Sequence, residues 1–87
     1  MIRVQLPSQL QSYCAGQTWV EADGATIGAV LDDLDRQFPG LRFRVIDEQE
    51  RVRPHMRLFA NREPAVDLAM RMAAGDELMI FGALSGG

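Results

Sequence analysis

The 87-residue chain ends in Gly86-Gly87. Neither residue carries a Cβ, so their backbone can thread a narrow channel and adopt conformations closed to other residues. A carboxylate on Gly87 is a poor electrophile until a better leaving group is placed on it. Other chemistry-bearing side chains are few. Cys14 is the only thiol and has no basic neighbour in sequence to lower its pKa, so it reads as a small loop or core residue rather than a persulfide acceptor. His55 follows Pro54 and reads as an exposed strand-edge residue. Asp32, Asp33 and Asp35 resemble a carboxylate cluster, but helical geometry spreads them over a solvated surface. One cysteine and one histidine cannot build a Cys/His zinc cage or a four-cysteine iron–sulfur site.

Composition narrows the classes further. Hydrophobic residues make up 47% and charged residues 24%, which suits one small globular domain rather than a disordered chain. No apolar run approaches the ~20 residues of a membrane helix, and Met1-Ile2-Arg3-Val4 does not resemble a signal peptide. A lone cysteine and no leader point to the cytoplasm. The net charge of -3 speaks against a nucleic-acid binder. All nine basic residues are arginine, which excludes a Schiff-base or P-loop lysine and an internal isopeptide acceptor. Seven of the nine fall between residues 36 and 62 with three acids, a band of net +4 between acidic flanks.

These residues need a scaffold, and the apolar spacing supplies one. Ile2-Arg3-Val4-Gln5-Leu6 alternates as a half-buried strand, and Thr18–Ala22 reads as a second strand joined to it by a modest loop. Thr26 is the expected N-cap of a helix whose apolar stripe is Ile27, Val30, Leu31, Leu34 and Phe38. Asp32 and Arg36 are spaced to pair on its outer face, and Pro39-Gly40 stops it. Residues 41–53 fit either a short helical turn or a strand. Met56–Ala60 alternates, with Met56, Leu58 and Ala60 inward and Arg57 and Phe59 outward. Asn61–Pro64 reads as a turn, Leu68 and Met72 as one helical turn, and Ala74–Glu77 as a tight turn. Leu78–Phe81 is apolar enough for a central strand. If one helix covers one sheet, the last strand must run beside the first. The expected fold is therefore α+β: a β-grasp with a mixed sheet of four to five strands and one main helix across one face. Residues 1–81 form the domain and 82–87 a flexible tail.

The sequence resembles the MoaD/ThiS family of ubiquitin-like sulfur carrier proteins. The resemblance spans nearly the whole chain. It rests on the first strand, the Thr26–Leu34 helix, Ala60-Asn61, Gly75-Asp76-Glu77-Leu78 and the Leu84-Ser85-Gly86-Gly87 terminus. The family often has proline before the tail; Gly82 here is expected to loosen it.

The resemblance implies that a ubiquitin-activating-like adenylyltransferase transfers AMP from ATP to the Gly87 carboxylate. Sulfur from a donor protein then displaces AMP and leaves a thiocarboxylate for a sulfur-accepting synthase. The chain would be a co-substrate with no bound cofactor or metal, not an enzyme, and neither nucleic acid nor membrane is expected as partner. Cysteine-type biosynthesis is the favoured destination. The small subunit of molybdopterin synthase is the alternative, and a ubiquitin-like protein modifier ranks below it. If extended, residues 82–87 reach at most about 20 Å, enough to place Gly87 and Gly86 inside a partner. Phe59, Met79 and Phe81 are expected on the sheet face away from the helix as an apolar docking patch, with Leu84 anchoring the tail base. Arg57 and Arg62 are the expected contacts to acidic partner surfaces.

Overall fold

The structure, a computed structural model, describes residues 1–82. Strand β1 (Ile2–Gln5) is followed by a 3-10 helix (Ser8–Cys14), β2 (Trp19–Ala22), α1 (Ile27–Gln37), α2 (Leu41–Val45), β3 (Met56–Ala60), β4 (Glu63–Ala65) and β5 (Glu77–Gly82). The five strands form one sheet in the order β2-β1-β5-β3-β4. The last strand runs parallel to the first, with Val4 opposite Leu78, and antiparallel to β3. This is the mixed β-grasp sheet that the strand–strand–helix order implies.

Alternation sorts each strand onto two faces. Ile2, Val4, Val20, Ala22, Met56, Leu58, Ala60, Leu78 and Ile80 are buried in one core with Ile27, Val30, Leu31 and Leu34 of α1. The Thr26 hydroxyl accepts from the Ala29 N–H at 3.1 Å, as an N-cap should. The next free N–H groups of α1 find unusual partners. Ile27 donates to the Met70 carbonyl and Gly28 to the Leu68 carbonyl, at 3.0 and 2.9 Å. Residues 67–72 are therefore an irregular strap over the helix start, not the helical turn expected from Leu68 and Met72. Their carbonyls satisfy donors that a helix end leaves open.

Two further expectations change, at the linker after β1 and at the turn after β3, and one open choice, at residues 41–45, is resolved as the helical turn. The linker after β1 is a 3-10 helix that buries Leu10 and Cys14. Residues 41–45 resolve as helix, with Leu41 and Val45 buried and the Asp35 carboxylate accepting from the Gly40 and Arg42 N–H groups, both at 3.1 Å. Asn61 and Arg62 both take positive φ, 51° and 72°, which makes a two-residue hairpin of the type I′ kind. The expected four-residue turn is thus halved, and Glu63–Ala65 pairs back on β3 as an edge strand. An edge tolerates Pro64, which has no N–H to give. The Gly75 turn has φ 92°, a conformation that favours glycine, and closes with Asp76 donating to the Ala73 carbonyl at 2.9 Å. Among the described residues, no helix is long and apolar enough to cross a membrane.

Candidate functional site

The site has two parts on the sheet: the root of the tail and the face that α1 leaves open. Gly82 is the last residue of β5 and stands opposite Met56. The strand therefore extends one residue beyond the expected domain boundary, and Gly82 is held in the ladder instead of starting a loose tail. The tip of the Gln9 side chain, from the 3-10 helix, lies where a Cβ on Gly82 would stand. Leu84, Gly86 and Gly87 lie outside the described residues.

Pairing register builds the open face. Trp19 lies opposite Gln5, Gln5 opposite Met79, Met79 opposite Phe59, and Phe59 opposite Pro64, a row across all five strands. Phe81 stands one pleat closer to the tail and packs edge-on against Phe59, with ring centroids 5.5 Å apart. Phe81 is 40% exposed, and Phe59 and Met79 are half-buried. The expected trio is thus assembled on one face. Trp19 and Gln5 extend it, and neither was expected there. Only the β1–β2 register reveals them, because it turns every second residue of the hairpin toward this face. The Gln5 Oε1 is buried in that row without a hydrogen-bond donor among the described residues.

One flank of the row is charged. Arg3 lies opposite Glu21 and Glu77, pairs with Glu77 at 3.1 Å, and places its guanidinium carbon 4.4 Å from the Trp19 ring centroid. Arg57 lies opposite Phe81 near the tail root. Arg62 does not join it. It sits in the β3–β4 turn, beside Asn61, whose N–H bonds the Glu77 carbonyl at the start of β5. Arg57 and Arg62 therefore occupy opposite ends of the sheet, and the structure does not bring Arg62 to the patch.

The remaining candidates have structural employment. Cys14 is buried and desolvation pushes its thiol pKa up, which suppresses the thiolate. Asp32 pairs with Arg42 at 2.8 Å, not with Arg36. Asp33 accepts from the Asp23 N–H, from Arg36 and from Gln37; the Asp23 bond is the largest cause of its lowered pKa. Asp35 caps α2. Among the described residues, no group of three or more His, Cys, Asp or Glu side chains is placed to hold a metal ion. His55 is exposed beside the start of β3.

Fold and site together define a ubiquitin-like β-grasp protein with an apolar sheet face next to a glycine-ended C-terminal segment. The ThiS family model matches residues 4–87, and the chain belongs to that family. It is 32% identical to the sulfur carrier protein CysO of Mycobacterium tuberculosis, over 99% of this chain and 98% of that protein. It is 41% identical to small archaeal modifier protein 1 of Haloferax volcanii, over 78% of each chain. Among solved structures, a chain from the Amycolatopsis orientalis BexX/CysO complex superposes with a TM-score of 0.92 at 29% identity, covering 100% of both chains.

Proposed function

We propose that this protein is a sulfur carrier whose Gly87 carboxylate is activated and thiolated within a partner enzyme. An adenylyltransferase joins the carboxylate oxygen to the α-phosphorus of ATP and releases pyrophosphate. A sulfur nucleophile from a donor then attacks the acyl carbon, AMP leaves with the bonding pair, and a thiocarboxylate remains. ATP belongs to the partner's site. The protein supplies the electrophile and the docking surface and is a co-substrate of the reaction.

The observation that carries this reading is the family match running through Gly86-Gly87, joined to full-length similarity with a sulfur carrier. The geometry supports it. Measured from Gly82, the five residues that follow it in the sequence reach at most about 17 Å if extended. A partner that holds Gly87 must therefore cover the tail root. Phe59, Met79 and Phe81 beside that root offer apolar area to offset the cost of ordering the tail, and Leu84 is the proposed anchor at its base. The similarity to CysO favours cysteine-type biosynthesis as the sulfur's destination over the small subunit of molybdopterin synthase.

Incubation with ATP, the adenylyltransferase of the same organism and a sulfide source tests the reading. The expected result is an intact-mass gain equal to one oxygen exchanged for one sulfur. Deleting Gly87 abolishes it. A gain that survives the deletion removes Gly87 from the role.

A second reading follows from the small archaeal modifier protein 1 match. In it, Gly87 would be joined to lysine side chains of other proteins. The chain has no lysine, so it could not be extended onto itself through a lysine side chain. Lysine-linked adducts in lysates would favour this reading over the carrier.

A further inference from the structure

Two of the seven arginines between residues 36 and 62 are neutralised locally: Arg36 by Asp33 at 3.2 Å, and Arg42 by Asp32 and Glu50, each at 2.8 Å. Among the described residues, no carboxylate lies within ion-pair distance of Arg44, Arg53 or Arg57. An unpaired surface arginine is ordinarily a mobile, solvated chain. Arg53 and Arg57 are not arranged that way. The Arg53 Nε donates to the Phe43 carbonyl at 2.7 Å, and its guanidinium carbon lies 4.4 Å from the Phe43 ring centroid. The Arg57 Nη1 donates to the carbonyls of Pro54 and Met56, at 2.7 and 2.9 Å. Each guanidinium is fixed along one edge by backbone and keeps further N–H groups for another acceptor.

Their position gives that arrangement a use. Arg57 is the cross-strand partner of Phe81, and the Arg53 carbonyl accepts from Met56, which faces Gly82. Both arginines therefore stand at the tail root. A cleft of about 200 Å³ there is lined by Phe43, Arg44, Arg53 and His55. The adjoining groove shares Arg53 and adds Arg57, and neither contains a carboxylate. Asp47 lies within reach of this charge: its pKa is lowered first by the Arg51 backbone N–H bond and least by the charge of Arg53. Its Oδ1 is already occupied by the Gln49 and Arg51 N–H groups.

We propose that Arg53 and Arg57, with Arg44 beside them, form a pre-set clamp for Asp or Glu side chains rimming the channel through which the adenylyltransferase receives the tail. The inference rests on the sulfur-carrier reading, because a tail of at most about 17 Å forces that rim against the tail root. Planar guanidinium forks match carboxylates bidentately, and side chains already held by backbone carbonyls lose little entropy on pairing. The surrounding protein is net negative, -3 overall. A local cationic end on an acidic body orients the encounter so that the tail arrives first.

Pyrophosphate release by the purified adenylyltransferase, measured against carrier concentration, tests the clamp. Arg53→Glu and Arg57→Glu should each raise KM about ten-fold or more, with kcat within about two-fold, as expected for loss of a charged docking contact. The gap from wild type should shrink at about 0.5 M NaCl. Arg53→Gln should give a smaller rise, since it removes the charge without reversing it. Arg71→Glu makes the same charge change on the strap over the start of α1, paired across from Thr26, and should leave KM alone. Matching thermal melts establish that each variant is folded. Unchanged KM in both Glu variants, with wild type still activated, overturns the clamp and leaves the carrier reading standing. A kcat loss at constant KM overturns it as well. Binding of inorganic phosphate to the isolated protein, seen as shifts of the His55 and Arg53 NMR signals, would reassign the cleft to a free anion. Absence of pyrophosphate release with wild type removes the carrier reading and the clamp with it.

Discussion

Gly82 faces Met56 across the β3–β5 ladder, and the tip of the Gln9 side chain lies where a Cβ on Gly82 would stand. Gly24 makes a superficially similar close approach, but against backbone: a Cβ there would stand 2.5 Å from the Val30 nitrogen and 2.7 Å from the Ala29 carbonyl carbon. The two glycines should therefore respond differently to alanine. Gly82→Ala meets only the end of a flexible, exposed side chain that can swing away, and its cost should stay within about 1 kcal/mol. Gly24→Ala must push the loop off α1, and should cost about 2–3 kcal/mol by the measure of overpacked sites. Urea unfolding midpoints of the two variants check this. Equal losses would mean that the contact with α1 is easily relieved.

The open sheet face makes a separate prediction. Phe81 contributes little to the core, being 40% exposed, and its edge-on contact with Phe59 accounts for about 0.5–1.5 kcal/mol. Phe81→Asp should keep the fold and weaken docking, raising KM for activation at least about ten-fold. A truncation at a comparable strand position on the buried face, Ile80→Ala, should instead cost about 2–5 kcal/mol of stability. Activation assays run beside thermal melts separate the two effects. A Phe81→Asp variant activated at the wild-type KM would show that the partner docks elsewhere.

Arg62 allows stability and docking to be tested at one position. It is held at φ 72° in a two-residue turn after Asn61, and a side chain in that conformation is strained. Asn-Gly is the favoured pair for such a turn. Arg62→Gly should therefore stabilise the protein by about 0.5–1 kcal/mol, the relief of strain outweighing the added freedom of the unfolded glycine. Because Arg62 lies at the end of the sheet away from Gly82, the same variant should be activated normally. Denaturant midpoints and activation kinetics on one preparation decide both parts. A raised KM would restore Arg62 to the docking surface.

The sequence made some elements plain for physical reasons. Ile27, Val30, Leu31 and Leu34 recur at helical spacing behind a hydroxyl cap, β1 and β3 alternate, and β5 is a continuous apolar run in a central position, so local pattern and tertiary burial agree. The 3-10 helix escaped because Leu10 and Cys14 are two buried residues in a polar stretch, too few to define a period. The strap at 67–72 departs from its sequence pattern for the opposite reason: Leu68 and Met72 have helical spacing, but backbone bonds to Ala25, Ile27 and Gly28 set its course. At the site, Phe59, Met79 and Phe81 were legible from alternation. Arg57 and Arg62 share the basic band of the sequence, yet Arg57 stands near the start of β3 and Arg62 beyond its end, in the turn to β4. Trp19 and Gln5 needed the pairing register, and Arg53 needed its fixing by the Phe43 carbonyl, neither of which any single segment records.

The Arg42–Glu50 pair predicts how stability falls in acid. Arg42 donates to both Glu50 oxygens, from Nη1 at 3.0 Å and Nη2 at 2.8 Å, and its Nε meets Asp32 at 2.8 Å. The bond from Arg42 is the largest cause of the lowered Glu50 pKa, with the charge of Arg42 next. A carboxylate whose pKa is lower folded than unfolded contributes stability that is complete above its unfolded value, about 4.3 for Glu. That contribution is lost as pH falls through the lower folded value. Glu50→Gln removes the titration and keeps a side chain of the same shape at the left-handed φ of 62°, so backbone strain is unchanged. The variant should be less stable at pH 7. Its stability should also decline less steeply between about pH 4.5 and pH 3, closing part of the gap to wild type. The decline should not vanish, because Asp33 and Asp47 also have lowered values, set first by N–H groups of Asp23 and Arg51, and titrate in the same direction. Urea midpoints across that range give the comparison. Parallel curves for the two proteins would show that Glu50 gains nothing from Arg42 in the folded state.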